Sequence, residues 1–132
     1  NIAKEFGWKT FGLEYNQGEA KVARQNGHEV FEMNIKSFLK ASDQKFDVVT
    51  LWDVFEHIKN GQELLQDVYK VLTPNGGVFL QSPTPTSLAA RILQEKCNMF
   101  DGLEHCNLYT LENVKTLAEK TGFVLEGYDT VI

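Results

Sequence analysis

Short apolar runs alternate along this chain with longer stretches in which apolar residues recur at helical spacing, a pattern that predicts an α/β layering with a mainly parallel sheet. "NIAKEFGW" carries Ile2, Ala3 and Phe6 at helical spacing and stops at Gly7, as the end of a helix does. "KTFGLE" follows as a short strand. Asn16 with Glu19 three positions on predicts an N-cap with its capping-box partner, opening a helix through Ala20, Val22 and Ala23 to Asn26-Gly27. "HEVFEM" is the next strand, and residues 34–45 are mixed, a loop with a short helical turn. "FDVVTLW" is the most continuous apolar run up to this point, as a strand buried on both faces should be.

Between Asn60 and Leu72 the residues Leu64, Leu65, Val68, Tyr69 and Leu72 form one apolar helix face. "TPNGG" ends that helix and "VFLQS" is the next strand. "TSLAARILQEK" has helical character, and the stretch from Cys97 to Tyr109 has no clear period. Thr110 then caps a helix with Leu111, Val114, Leu117 and Ala118 inward and Gly122 at its end. The final "FVLEGYDTVI" is strand-like. No repeat or linker interrupts the series.

At 132 residues and 15.0 kDa the chain is one domain at most, short for a two-layered α/β enzyme. Thirteen Lys and Arg against 18 Asp and Glu give a net charge of −5 with no basic cluster, which disfavours nucleic acid as a partner. The two cysteines, Cys97 and Cys106, form no C-x-x-C pair, so neither a redox dithiol nor a disulfide framework is indicated, and the expected setting is the reducing cytoplasm. No apolar segment approaches the roughly 20 residues needed to span a bilayer, so no membrane partner is expected. His105 beside Cys106 is too sparse a ligand set to predict a metal. The first residue is Asn rather than Met, which points to a processed or excised chain.

Ligands of open parallel sheets bind at the carboxyl ends of the strands, and four such ends carry suggestive residues. Glu14 ends "FGLE", where a carboxylate can accept from both hydroxyls of a ribose or simply be an exposed strand-end acid. Asn34, after "HEVFEM", offers a donor and an acceptor to an adenine edge, or serves as a turn residue. In "FDVVTLWDVFEHI", Trp52 and Asp53 lie where strand gives way to helix, with Glu56 and His57 three and four residues after Asp53. These residues would share one face of a helix and could serve as a base or cation site, or could cap and charge-complement a helix start. Gln81, Ser82 and Thr84 follow "VFL" as either a substrate wall or a turn. The chain has no G-x-S-x-G, H-E-x-x-H or G-x-x-x-x-G-K, so serine hydrolase, zincin and P-loop chemistries lack support.

The order of these features resembles the class I S-adenosylmethionine-dependent methyltransferases, in particular the small-molecule branch that includes ubiquinone-pathway O-methyltransferases. The matching stretches are "FGLEYN", "FDVVTLWDVFEHI", "VLTPNGGVFLQSP" with its L-x-P-x-G-G turn, and "EHCNLYTLENVKTLAEKTGF", which together span nearly the whole chain. The resemblance implies a Rossmann-like, mainly parallel sheet with flanking helices, S-adenosylmethionine as cofactor, and transfer of a methyl group to a small-molecule acceptor, expected to be an oxygen. It implies that Glu14 holds the ribose with Tyr15 beside the adenine. Asn34, standing where the family usually has Asp, and Ile35 would contact the adenine, and Trp52 and Asp53 would lie along the methionine part of the cofactor. His57 and His105 become the candidates for proton removal from an acceptor hydroxyl. In some members of the branch an E-x-x-E-H run is tied to a divalent cation. Here it is D-x-x-E-H, and no metal is expected.

Two departures accompany the resemblance. The family's first strand and Gly-rich loop should precede "NIAKEFGW", and the last strand of its terminal antiparallel hairpin should follow Ile132. Residues 1–132 are thus expected to be a partial methyltransferase domain, missing a central strand between those ending at Glu14 and Trp52. It would be completed by further chain, rearranged pairing or self-association, because buried unsatisfied backbone groups cost about 1–3 kcal/mol each. A non-catalytic methyltransferase-like module used in protein association is the alternative. An NAD-binding domain is a weaker one, since it accounts for neither the E-H run nor the L-x-P-x-G-G turn.

Overall fold

The computed structural model describes residues 2–97, 100 and 105–130. The chain divides into two compact units, Asn1–Asp43 and Gln44–Ile132. In the first unit, helix α1 (Ile2–Glu5) precedes strand β1 (Phe11–Leu13), helix α2 (Gln17–Gln25), strand β2 (Glu29–Phe31) and helix α3 (Ile35–Ala41). Strands β1 and β2 pair in parallel, with Phe11 opposite Glu29 and Leu13 opposite Phe31. The Asn16 side chain accepts from the Gly18 and Glu19 N–H groups, as an N-cap should. The reciprocal half of the expected capping box is replaced, because the Asn16 N–H donates to Glu14 Oε1 at 2.7 Å rather than to Glu19. Arg24, near the end of α2, donates through Nε and Nη2 to the Val30 carbonyl and pairs with Glu32 at 2.6 Å, tying helix to strand. The stretch expected to be mostly loop forms the two turns of α3, capped by Asn34 and anchored by Phe38, whose buried ring meets Phe31 edge-on at 5.4 Å.

The second unit contains strand β3 (Phe46–Trp52), a 3₁₀ turn at Phe55–His57, helix α4 (Gly61–Val71), strand β4 (Leu72–Gln81), helix α5 (Leu88–Leu93) running into a 3₁₀ turn at Gln94–Lys96, and helix α6 (Leu111–Lys120). Strands β3 and β4 pair in parallel. Phe46 faces Leu72, and the register then jumps so that Val48 faces Gly77 and Trp52 faces Gln81. That jump accommodates the "TPNGG" excursion, with Asn75 in the left-handed region at φ 66°, so the expected turn is a bulge within the paired strand. Leu65, Val68 and Val71 of α4 are buried with Leu51 of β3, and Tyr69 meets Phe123 edge-on at 5.3 Å. Asn60 caps α4 through the Glu63 N–H, and Thr110 caps α6 in a capping box with Asn113.

Parallel strands with flanking helices are the expected class of architecture, divided here into two two-stranded sheets. The strand expected over "FVLEGYDTVI" does not form among Phe123–Thr130. Val124 and Tyr128 there are 84% and 69% exposed, and an extended segment without a pairing partner gains no ladder bonds. No helix among the described residues is long and apolar enough to cross a membrane.

Candidate functional site

Strand β3 buries Leu51 and then delivers Trp52, 55% exposed, to its carboxyl end. Asp53 follows with φ 50°, a left-handed conformation that Asp tolerates better than most side chains. This residue turns the chain out of the strand. The Asp53 N–H donates to the Gln81 carbonyl at 3.2 Å, and Gln81 Nε2 donates to Asp53 Oδ1 at 3.4 Å. The 3₁₀ turn closes with bonds from the His57 N–H to the Val54 carbonyl and from the Ile58 N–H to the Phe55 carbonyl.

That turn gives its residues opposite environments. Phe55 and Glu56 are 0% and 1% exposed, whereas the His57 side chain is 39% exposed. Asp53, Glu56 and His57 therefore do not lie on a helix face as the spacing predicted. The alternative, that Asp53 and Glu56 cap a helix, is not met either: the turn has no side-chain cap, and α4 begins four residues after His57, capped by Asn60.

His105 comes to the same place from the segment of residues 105–109. The Asn107 N–H donates to the Glu56 carbonyl at 3.0 Å, and Asn107 Nδ2 donates to the Ile58 carbonyl at 2.7 Å. Tyr109 lays its ring on Phe55 at 4.4 Å. The approach is permitted by Gly61, where an added Cβ would stand 2.6 Å from Tyr109 Oη and 2.7 Å from Phe55 Cζ. Burial pushes the Tyr109 hydroxyl above its usual pKa of about 10, against a smaller opposing effect of a backbone hydrogen bond from Gly61. The two imidazoles of His57 and His105 stack, with centroids 5.0 Å apart and planes 27° apart.

Glu56, His57 and His105 bring three donor atoms within 4.8 Å of one another. Glu56 Oε1 lies 3.9 Å from His57 Nε2, and Glu56 Oε2 is buried with no hydrogen-bond partner among the described residues. A carboxylate and two imidazoles can take up and pass a proton. They could also hold a cation, although bonds of about 2.0–2.2 Å would draw the donors closer than they stand. The sequence brought His57 and His105 forward and left Glu56 undecided. Asn107 was missed, because nothing in its spacing distinguishes it from any other loop amide.

Glu14 directly follows β1, its carboxylate held on one oxygen by the Asn16 N–H. Tyr15 beside it is 66% exposed. Asn34 spends its oxygen on the Ser37 N–H at 2.7 Å as the cap of α3, so the acceptor expected for an adenine amino group is engaged within the chain, and Ile35 opens the helix. After β4, the Ser82 hydroxyl is buried without a partner among the described residues, and Thr84 and Thr86 bond each other at 3.0 Å.

Residues 1–127 match a family described as a methyltransferase domain. The chain is 26% identical over 132 residues to phosphoethanolamine N-methyltransferase 2 of Caenorhabditis elegans, covering 93% of this chain and 29% of that protein. It is 30% identical over 98 residues to demethylmenaquinone methyltransferase of Lactobacillus johnsonii, covering 65% of this chain and 39% of that one. Among solved structures, a SAM-dependent methyltransferase of Archaeoglobus fulgidus superposes with a TM-score of 0.75 at 25% identity, over 92% of this chain and 53% of that one. A SAM-dependent methyltransferase of Thermotoga maritima, described as a possible histamine N-methyltransferase, gives 0.74 at 20% identity, over 94% and 58%. The chain thus spans well under half of the curated relatives and little more than half of the solved ones.

Proposed function

Because the chain belongs to the methyltransferase domain family, with the Rossmann-like α/β fold of class I S-adenosylmethionine-dependent enzymes, we propose that it serves in methyl transfer from S-adenosylmethionine to a small-molecule acceptor hydroxyl. The observation that carries this reading is the stacked His57–His105 pair, with His57 five residues beyond the strand end at Trp52 and four beyond Asp53. The sulfonium of S-adenosylmethionine is already an activated methyl donor, so positioning supplies most of the catalysis. What the chain's own residues add is removal of the acceptor's proton. His57, partly open to solvent, accepts it, with His105 stacked behind and the Glu56 carboxylate 3.9 Å from Nε2 to balance the imidazolium that forms.

On the cofactor side, Glu14 and Tyr15 at the end of β1 are assigned to the ribose and adenine. Ile35 and the Asn34 side-chain nitrogen are assigned to the adenine, and Trp52 and Asp53 to the methionine part. With one lone pair of the Asn34 oxygen engaged as a cap, its amide nitrogen is free to donate to a ring nitrogen, and only the second lone pair is left to accept from the amino group. Residues 1–132 form part of the catalytic domain in this reading. Two-stranded parallel sheets such as β1–β2 and β3–β4 are too small to stand alone, which supports their completion by further strands, including those of a second copy.

The test is methyl transfer from radiolabelled S-adenosylmethionine by the protein that carries this chain, offered hydroxyl and amine acceptors in parallel. His57→Gln should lower kcat by about 10²–10⁴-fold, the usual worth of a general base, with the KM for S-adenosylmethionine unchanged. Full activity in that variant, or transfer to amines alone, would rule out a histidine-assisted hydroxyl reaction.

A further inference from the structure

We propose that Asn107 is the positioning residue that holds His105 against His57, an inference that rests on the reading of the histidine pair given above. His105 belongs to a segment without regular secondary structure, and His57 to a three-residue turn, so neither ring owes its place to an extended helix or sheet. Yet their rings stack at 5.0 Å. Asn107 bridges the two segments at two points. Its backbone N–H reaches the Glu56 carbonyl at 3.0 Å and its side-chain Nδ2 the Ile58 carbonyl at 2.7 Å. Those carbonyls belong to the residues on either side of His57. A single bond would leave the segment free to pivot, whereas two bonds bracketing His57 fix both the separation and the direction in which the chain presents His105, two residues away.

The residue type follows from the geometry. The backbone bond survives any substitution except proline, but the bond to Ile58 needs a donor at the end of a short side chain. An aspartate of the same shape would set a carboxylate oxygen against the carbonyl oxygen, and serine or alanine would not span the distance. Asn107 and its bond to the Ile58 carbonyl are part-buried, so removing the side chain deprives that carbonyl of a donor at a place only partly open to water. Tyr109 on Phe55 gives the segment a second hold, which is why substitution at 107 should loosen the histidines without releasing the segment altogether.

The test combines a structural readout with a kinetic one, in Asn107→Ala and the gentler Asn107→Ser. Asn113→Ala is the control, since the Asn113 side chain also makes local bonds, its Oδ1 accepting from the Thr110 N–H at 3.2 Å and the Thr110 hydroxyl at 2.9 Å in the cap of α6. Nuclear Overhauser cross-peaks between the His57 and His105 ring protons should be present in the wild type and in Asn113→Ala and absent from both Asn107 variants. The kcat should fall by about 100-fold in the Asn107 variants, the expected effect of a misplacement of roughly 1 Å, with the KM for S-adenosylmethionine unchanged. Cross-peaks that persist in the Asn107 variants, or vanish equally in Asn113→Ala, would overturn the inference, and their absence from the wild type would overturn the pairing itself. Should the cross-peaks behave as expected while His57→Gln keeps full activity, the positioning role stands and the proposed reaction fails.

Discussion

Replacing Gly61 with alanine sets two physical effects against each other, and the sign of the result decides between them. Gly61 is the first residue of α4 and is buried. Helix propensity alone favours alanine over glycine by up to about 1 kcal/mol, less at a first position than in a helix interior. Packing opposes it, because the new Cβ would stand 2.6 Å from Tyr109 Oη and 2.7 and 3.0 Å from Phe55 Cζ and Cε2. Phe55 is completely buried and has little room to retreat, so Tyr109 must move and the two rings part. Overpacking of this kind costs about 1–3 kcal/mol, leaving a net loss of about 1–2 kcal/mol after the propensity gain. For a chain of this size that is a fall in melting temperature of about 3–5 °C per kcal/mol, and a urea midpoint lower by about 0.5–1 M. Gly77→Ala is the control: nothing lies within 4 Å of the added Cβ, so its midpoint should be unchanged or slightly raised. Equilibrium urea unfolding followed by tryptophan fluorescence measures both. A Gly61→Ala protein as stable as wild type, or more so, would refute the tight Phe55–Gly61–Tyr109 contact and with it the account of how the segment bearing His105 is docked.

Two other outcomes follow from the same geometry. The folded protein holds the Tyr109 proton more tightly than the unfolded chain does, because burial disfavours the phenolate. Stability from this group should be intact below about pH 10 and decline as the pH rises through the higher folded-state value, and Tyr109→Phe should flatten that decline when urea midpoints are compared between neutral and strongly alkaline pH. Asp53→Gly relieves a left-handed backbone at the cost of one long, exposed hydrogen bond. It should raise stability by about 0.5–1 kcal/mol while weakening S-adenosylhomocysteine binding, as thermal unfolding and calorimetric titration would show.

The elements most legible in the sequence were those whose signals are local. The apolar run of β3, the face of α4 and the caps Asn16 and Thr110 each follow from side-chain types a few residues apart. Helix α3 was underestimated because its seven residues bury only Phe38 and are too few for the Ile35, Phe38, Leu39 spacing to repeat. The terminal "FVLEGYDTVI" has strand composition, but a strand is made by its partner, and among the described residues none pairs with Phe123–Thr130. At the site, His57 and His105 were visible as motif residues, whereas their stacking depends on Asn107 bonding across 49 positions of chain, which no local pattern encodes. The opposite fates of Glu56 and His57 turn on a 3₁₀ geometry that the D-x-x-E-H spacing does not distinguish from an α-helix.

If these residues belong to an S-adenosylmethionine site, cofactor binding reports it without reference to any acceptor. Calorimetric titration of S-adenosylhomocysteine into the protein that carries this chain should give saturable one-to-one binding, weakened at least about tenfold, or 1.4 kcal/mol, by Glu14→Ala, and changed little by His57→Gln. Absence of binding, or binding indifferent to Glu14, would contradict the account.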